Sequence, residues 1–176
     1  MRFNPEDPEI HQKLSEYSKT IIQQIDTMSA IAEAFSSFAK MPAQKNESLN
    51  VVEVVKLGLD IFNKHDISFT SDKENITINF DRTQLIRIIT NLIKNAIQAN
   101  AENIKVNVTD TKANVEISIN DNGNGINPEN QSKIFEPKFT TKNSGMGLGL
   151  AMVKKIIETY NGSITFTTQN DIGTTF

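Results

Sequence analysis

The stretch that most constrains the fold is residues 115–125, where a strand pattern leads into a glycine-rich loop. Apolar residues at positions 115, 117 and 119 alternate with polar ones, and this period of two predicts a β-strand. Asp121 follows at the end of that strand, just before Gly123 and Gly125. Glycine permits positive φ angles and lets a ligand approach main-chain N–H groups without a Cβ in the way. The pattern therefore predicts a ligand-binding loop that carries a carboxylate.

A second glycine-rich loop lies further along the chain and opens a helix. Gly145, Gly147 and Gly149 alternate with apolar residues, and residues 151–157 continue with helical spacing. A glycine run that leads into a helix start offers backbone donors and the positive end of the helix dipole to phosphate. One loop with a carboxylate and one loop that suits phosphate together indicate a nucleotide site.

Other loop types compete with this interpretation. The EF-hand pattern needs Asp or Asn at its third position and glycine at its sixth, where this chain has Gly123 and Ile126. In the dinucleotide fingerprint the third glycine comes one residue later than Gly149 does, and the motif follows a strand. The P-loop motif GxxxxGK[ST] does not occur. Each glycine cluster alone is compatible with a simple turn, but their order beside a polar helix disfavours that alternative.

The polar helix is predicted at residues 83–100. Asn91, Asn95 and Gln98 are spaced by four and three residues, so they share one face of this helix, with Lys94 beside it. Asparagine inside a helix is less favourable than alanine by roughly half a kcal/mol, so two aligned asparagines indicate a functional face. The alternative is that these amides are only exposed surface groups.

The remaining patterns predict further elements of an α/β domain. Residues 49–62 have helical spacing, whereas short alternating segments predict strands at 67–70, 76–80, 104–108 and 164–168. Helices and alternating strands in these numbers predict a two-layer sandwich, in which a mixed sheet is backed by helices.

The four polar motifs resemble the ATP-site motifs of the GHKL superfamily, specifically those of sensor histidine kinases. Residues 91–96 are similar to the N box, 121–125 to the first G box, 135–142 to the F box and 145–149 to the second G box. All four occur in the family's order, and the resemblance extends from about Leu49 to the end of the chain. It implies the α/β (α+β) two-layer sandwich of the GHKL ATPase type.

The resemblance also implies roles for individual residues. Asn95 matches the asparagine that binds Mg²⁺, an ion that takes few protein oxygens beside phosphate oxygens. Asp121 matches the carboxylate that accepts a hydrogen bond from the exocyclic amine of adenine. Lysines of the F box would act from a lid that closes over the triphosphate, although a solvated surface charge is the alternative for any single lysine. The implied catalytic residues are Asn91, Lys94 and Asn95. The implied ATP contacts are Asn91, Asn95, Gln98, Asp121, Gly123, Gly125, Ile126, Phe135, Lys138, Thr140, Thr141, Lys142, Gly145, Gly147, Leu148 and Gly149.

Asn91 separates two classes of enzyme within the superfamily. In the hydrolysing members (gyrase, mismatch-repair and heat-shock-chaperone types) a glutamate near the start of this helix activates water. An amide cannot act as a general base at neutral pH. We therefore expect a protein-histidine kinase, which mainly positions the γ-phosphate of ATP and balances its charge. The alternative is an ATP-binding regulatory module, such as an anti-sigma-factor-type serine kinase.

A heptad pattern precedes the domain. Leu14, Ile21, Met28 and Phe35 recur every seven residues, on a long helix that Pro42 is predicted to end. The pattern predicts a helix that pairs outside the chain, and its last residues resemble the second dimerisation helix of sensor kinases in the nitrogen-regulatory branch. An amphipathic helix that lies on its own domain is the alternative.

Neither histidine matches the family's phosphoacceptor motif, which is roughly His-[Asp/Glu]-hydrophobic-x-x-Pro-Leu. His11 precedes a different sequence, and His65 lies near a predicted helix end, where a solvated imidazole is expected. We therefore expect residues 1–45 to be a partial dimerisation region without the acceptor helix. Residues 46–176 are the expected catalytic domain, whose final strand at 173–176 is expected to be truncated.

Composition limits the partners and the compartment. A net charge of −3 gives no reason to propose nucleic acid or an anionic membrane as a partner. The absence of cysteine excludes disulfides and thiolate zinc sites and fits a reducing compartment. No apolar run approaches the ~18 residues of a membrane span. We expect a cytoplasmic domain, attached to a membrane only through segments outside this sequence. Its expected partners are its own dimerisation helices, in a homodimer, and a response regulator receiver domain.

Overall fold

Two units make up the chain, with the boundary between residues 42 and 43. The computed structural model describes residues 8–39, 44–111, 113–140 and 146–176. In the first unit the described residues form one helix, α1 (Pro8–Ala39). The long helix predicted from the heptad pattern is therefore present, while Pro42, the residue predicted to end it, lies outside the described ranges.

Helix α1 exposes the apolar positions of its heptad pattern. Leu14, Ile21 and Met28 are 52%, 59% and 68% exposed, and Ile25 between them is 56% exposed. The side chain of Phe35 lies outside the part of the chain that is described. Pairing of this face with another helix stays a prediction.

The second unit contains the helices and strands of an α/β domain. Its described helices are α2 (Val51–Asp60), α3 (Arg82–Gln98), α4 (Pro128–Gln131) and α5 (Gly149–Thr159). Its described strands are β1 (Glu47–Asn50), β2 (Asp66–Ser71), β3 (Thr77–Phe80), β4 (Asn103–Asp110), β5 (Val115–Asp121), β6 (Thr167–Gln169) and β7 (Gly173–Thr175). Strands β1 and β3 pair as a separate antiparallel ribbon.

The main sheet is mixed and has the order β2-β4-β5-β7-β6. Strands β2 and β4 run parallel, and each further pair is antiparallel. Along β4, Ile104, Val106 and Val108 are buried, whereas Lys105 and Asn107 between them are exposed. This alternation shows that one face of the sheet is covered and the other faces solvent.

Helices α2, α3 and α5 form the covering layer. Helix α3 packs between α2 and α5 and also contacts β5. Its apolar residues recur at helical spacing, so Leu85, Ile89, Leu92 and Ala96 all point into the core and are at most 5% exposed. The predicted α/β two-layer sandwich with a mixed sheet is confirmed.

Three element boundaries differ from the sequence predictions. The helix predicted at 49–62 starts later, at Val51, because the Asn50 side chain caps it by accepting a hydrogen bond from Val52 N at 3.2 Å. Strand β1 was not predicted, since its four residues include a single large apolar side chain. The strand predicted at 164–168 is found at β6, because pairing with β7 begins at Thr167.

The described helices include none that is both long enough and apolar enough to cross a membrane.

Candidate functional site

Helix α3 carries the predicted asparagines on the face that borders both glycine loops. Asn91 and Asn95 are half-buried, whereas Lys94 and Gln98 are exposed. The Asn91 amide is fixed, since its Nδ2 donates to Arg87 O at 2.8 Å. The Asn95 Nδ2 is buried and finds no hydrogen-bond partner among the described residues. A buried polar atom without a partner is unfavourable by about 1–3 kcal/mol, so Asn95 is a candidate ligand-binding group.

Asp121 ends strand β5 and is only 5% exposed. Its Oδ1 accepts hydrogen bonds from Gly123 N at 2.9 Å and from Thr174 N at 3.3 Å. Its Oδ2 accepts none from the described residues. One oxygen therefore fixes the carboxylate, and the other is left to accept a hydrogen bond from a ligand.

The first glycine loop fits closely between its neighbours. A Cβ on Gly123 would lie 2.7 Å from Ala99 O, which follows the end of α3. Gly125 has a φ of 69°, and a Cβ there would collide with Gln169 O at the end of β6. The backbone at these positions is accessible only to glycine, and the loop is held in one shape.

The second glycine loop meets α3 at Asn91. Helix α5 begins at Gly149, where a Cβ would lie 2.9 Å from Asn91 Oδ1. Leu148, which precedes this helix, is buried and provides no side-chain cap. The first N–H groups of α5 have no partner within the helix and are available to an anion. Asn91 and the start of α5 therefore form one site.

The F-box segment is joined to the second glycine loop. Lys138 N donates to Gly147 O at 2.9 Å, and a Cβ on Gly147 would lie 2.5 Å from Phe139 O. Lys138 itself has a φ of 69°, which is unusual for a residue with a side chain. Thr140 is described and exposed. The predicted site residues Thr141, Lys142 and Gly145 lie outside the described ranges.

Phe135 packs in an aromatic cluster. Its ring contacts those of Phe166 and Phe176 edge-on, with centroids 6.0 and 6.5 Å apart, and Lys154 Nζ lies 5.7 Å from the centroid of its ring. These contacts anchor the start of the F box to helix α5 and to the residue after β7. Contact of Phe135 with ATP stays a prediction.

Two threonines complete the surroundings of Asp121 and were not predicted from the sequence. Thr174 is 5% exposed and lies opposite Asp121 in the β5–β7 pairing. Its hydroxyl lies 3.0 Å from that of Thr168, which accepts a hydrogen bond from Ile126 N at 2.9 Å. These threonines lie far from Asp121 in the sequence, so only the strand pairing reveals them.

The residues around Asn95 bear on the predicted metal. The described residues contain no group of three or more His, Cys, Asp or Glu side chains that could hold a metal ion. Mg²⁺ does not need such a cage, because it keeps waters and binds substrate phosphates beside one or two protein oxygens. The buried atom of the Asn95 carboxamide is its nitrogen, so its oxygen is the atom that remains to contact an ion. The site therefore fits Mg²⁺ bound together with phosphate.

A two-layer sandwich with an asparagine-bearing helix between two glycine loops defines an ATPase-type nucleotide-binding domain. The family model described as histidine kinase-, DNA gyrase B-, and HSP90-like ATPase matches residues 80–176, more than half of the chain. The chain belongs to this family.

Relatives and solved structures narrow the similarity to sensor histidine kinases. A Rickettsia bellii protein named as an NtrY-like sensor histidine kinase is 34% identical over 92% of this chain and 28% of its own length. The histidine-protein kinase AtoS of Escherichia coli is 31% identical over 100% of this chain and 30% of its own length. The chain thus spans less than a third of the length of these relatives.

The solved structures of histidine kinase ThkA have the same fold. Its nucleotide-free catalytic domain superposes with a TM-score of 0.66 and 33% identity, over 75% of this chain and 92% of that domain. ThkA in complex with the response regulator protein TrrA gives a TM-score of 0.71 and 28% identity, over 99% of this chain and 51% of ThkA. The resemblance to sensor histidine kinase catalytic domains is confirmed.

Proposed function

We propose that this chain is the catalytic part of a sensor histidine kinase. It binds Mg-ATP and transfers the γ-phosphate to a histidine on a dimerisation helix, for relay to the receiver domain of a response regulator. The names of the relatives favour this function over a serine kinase of the anti-sigma-factor type. The complex of ThkA with a response regulator protein supports the proposed partner.

The observation that carries the proposal is the position of Asn91. Its Nδ2 donates to Arg87 O, and its Oδ1 lies beside Gly149 at the start of α5. A carboxamide at this point can bond to phosphate or to a bound water, but it cannot remove a proton from water. This arrangement favours transfer to an incoming nucleophile over rapid hydrolysis.

Each group of the site then has a separate role in binding ATP. The free Oδ2 of Asp121 accepts a hydrogen bond from the amine of adenine, and the first N–H groups of α5 bind phosphate. Lys138 and Lys142 balance phosphate charge from the F box. The nucleophile, a histidine, is on another helix. This chain therefore accelerates phosphoryl transfer mainly by holding the γ-phosphate in position.

Asn95 is the proposed Mg²⁺-binding residue. Its buried amide lacks a partner among the described residues and lies one helical turn from Asn91. When bound there, the ion supplies charge neutralisation of the phosphates. Asn95 provides the protein oxygen ligand of the ion, and phosphate oxygens and waters provide the other ligands.

Incubation with γ-labelled ATP tests the whole proposal. The chain alone should bind ATP without labelling itself, because neither His11 nor His65 lies in an acceptor motif. Addition of a fragment that bears the acceptor helix of a related kinase should produce acid-labile label on that fragment. Labelling should require Mg²⁺ and be lost in Asn95→Ala, whereas Lys105→Ala, on the exposed face of β4, should label normally.

Two outcomes would contradict the proposal. Acid-labile label on this chain alone, lost on His11→Ala, would show that this histidine is an acceptor. Acid-stable label on an added protein substrate would favour the serine-kinase alternative, since phosphoserine survives acid.

The homodimer and the cytoplasmic location belong to the same proposal. The exposed apolar positions of α1 support pairing with a second copy of the helix. The absence of cysteine supports a reducing compartment.

A further inference from the structure

The side chain of Asn122 joins the first glycine loop to the segment that follows helix α3. Its Oδ1 accepts hydrogen bonds from Glu102 N at 3.0 Å and from Asn103 N at 2.8 Å. The backbone N–H of Asn122 donates to Asn103 O at 3.3 Å. One exposed asparagine therefore makes three hydrogen bonds to two adjacent residues, Glu102 just before strand β4 and Asn103 at its first position.

Backbone contacts extend this junction to the end of α3 itself. Asn124 N donates to Ala99 O at 2.9 Å. Gly123 lies so close to Ala99 that a Cβ would approach both its carbonyl oxygen and its Cβ, at 2.7 and 3.0 Å. Among the described residues, Asn122 contributes the side-chain hydrogen bonds of this junction, and the other contacts are made by the backbone.

The junction lies between the two ends of the proposed nucleotide site. Asp121, the proposed adenine-binding group, ends strand β5, whereas Asn95, the proposed metal-binding group, is on α3. A nucleotide that contacts both must span the separation between a strand end and a helix. When that separation is fixed before binding, a nucleotide that is bound at one end reaches the other end without further loss of the protein's conformational entropy.

We propose that Asn122 is a positioning residue, which sets the distance between the adenine end and the phosphate end of the site by holding the Asp121 loop against the segment that connects α3 to β4. This inference rests on the proposed function, because it assigns the two ends of the site to one nucleotide. Asn122 itself makes no contact with the nucleotide in this arrangement.

Titration of variants with two ligands tests the proposal. Adenosine contacts only the adenine end, whereas Mg-ADP contacts both ends. Asn122→Ala removes two accepted hydrogen bonds, so it should weaken Mg-ADP by about tenfold and adenosine by less than about threefold. Asn122→Asp keeps an acceptor oxygen in the same place and should restore the affinity for Mg-ADP. Asn124→Ala, in the same loop, should bind both ligands as the unsubstituted chain does.

A second measurement follows the junction without any nucleotide. Amide hydrogen exchange at Glu102 and Asn103 should be faster in Asn122→Ala and normal in Asn122→Asp and Asn124→Ala, while the strands of the core keep their protection. This result would show that the variant is folded and that only the junction has loosened.

The outcomes separate the positioning role from the proposed function. Equal weakening of adenosine and Mg-ADP by Asn122→Ala, or no weakening of either, would overturn the positioning role alone. An unsubstituted chain that binds adenosine but shows no added affinity for Mg-ADP would overturn the proposed phosphate end of the site, and the positioning role with it. A chain that binds neither ligand would overturn the proposed function, and the positioning role with it.

Discussion

At the scale of single residues, the two oxygens of Asp121 have different tasks. Oδ1 accepts from the backbone of Gly123 and of Thr174 and so belongs to the fold. Oδ2 accepts nothing from the described residues and belongs to the site. A substitution that keeps the first oxygen and changes the second separates ligand binding from stability.

Asp121→Asn is that substitution. The carboxamide oxygen can still accept the two backbone hydrogen bonds, but its NH₂ group then faces the amine of adenine, and two donors cannot pair. We expect the affinity for ADP to fall by about ten- to a hundredfold, the range for a lost hydrogen bond to a charged group. Calorimetric titration with Mg-ADP measures this change.

The control for Asp121→Asn removes one carboxylate charge at a position away from the proposed site. Asp110→Asn, at the end of strand β4, should bind ADP as the unsubstituted chain does. An Asp121→Asn chain with unchanged affinity for ADP and a normal unfolding temperature would exclude Asp121 as the adenine-binding group.

The sequence predicted those site residues whose relationship is local. Asn91 and Asn95 lie one helical turn apart, and Asp121 is two residues from Gly123, so periodicity and glycine content were enough to find them. Thr174 and Asn122 were missed for a different reason. Their roles depend on the pairing of β5 with β7 and on the turn after α3, which are contacts between segments that no local pattern specifies.

At the scale of elements, hydrogen bonds of Asp81 connect the start of helix α3 to two other parts of the chain. Asp81 Oδ1 caps the helix by accepting from Thr83 N and Gln84 N, and its Oδ2 accepts from Lys45 N at 2.8 Å. Asp81 N donates to the hydroxyl of Tyr160, the residue that follows helix α5. The segment before β1 is thus tied to the two helices that border the proposed nucleotide.

This cap predicts a dependence of stability on pH. Burial raises the pKa of Asp81, but the N–H donors of Lys45, Gln84 and Thr83 outweigh it, so its pKa lies below the ordinary value of 3.8. The stabilisation is therefore fully present above about pH 3.8 and is lost as the pH falls through the lower pKa of the folded state. Asp81→Asn should lower the free energy of unfolding by about 1 kcal/mol at pH 7.

Urea unfolding at several pH values checks this prediction. The difference between the chain and Asp81→Asn should shrink as the pH falls below the folded pKa, because the native carboxyl is then protonated and neutral like the amide. Asp60→Asn, at the exposed end of α2, should show no loss of stability. A difference that stays constant down to the lowest pH would mean that the charge of Asp81 contributes nothing.

Element boundaries were harder to predict than element types. The alternating segments predicted β2, β4 and β5 within two residues of their observed bounds, since exposed residues alternate with less exposed ones along most of each strand. Helix α2 starts where a polar side chain folds back on the backbone, and β1 has too few apolar residues to show a period. A local cap decides the first boundary and pairing with the distant strand β3 decides the second, and composition indicates both only weakly.

At the scale of the whole molecule, α1 is a separate unit with an exposed apolar face, and we expect that face to form a dimer. Ile21→Lys places a charge at a heptad position that is 59% exposed in the single chain. Because two copies of the charge would meet in a dimer, association should weaken by at least about tenfold. Sedimentation equilibrium measures the association constant.

Gln23→Lys adds the same charge on the other side of α1 and should leave association unchanged. Equal self-association of the unsubstituted chain and both variants would exclude this face as the dimer contact, and a monomeric unsubstituted chain would exclude the dimer itself.

The pairing of β5 with β7 also has a consequence for the order of folding. Asp121 is oriented in part by Thr174, which lies 53 residues further along the chain. During synthesis the ribosome releases helix α3 and both glycine loops before it releases β7, so the adenine end of the site is incomplete until the last described strand has joined the sheet. Contacts of such long sequence separation form late and slowly. Nucleotide can therefore stabilise the domain only after β7 has joined β5, so a gain of nucleotide affinity reports that pairing and not the earlier folding steps.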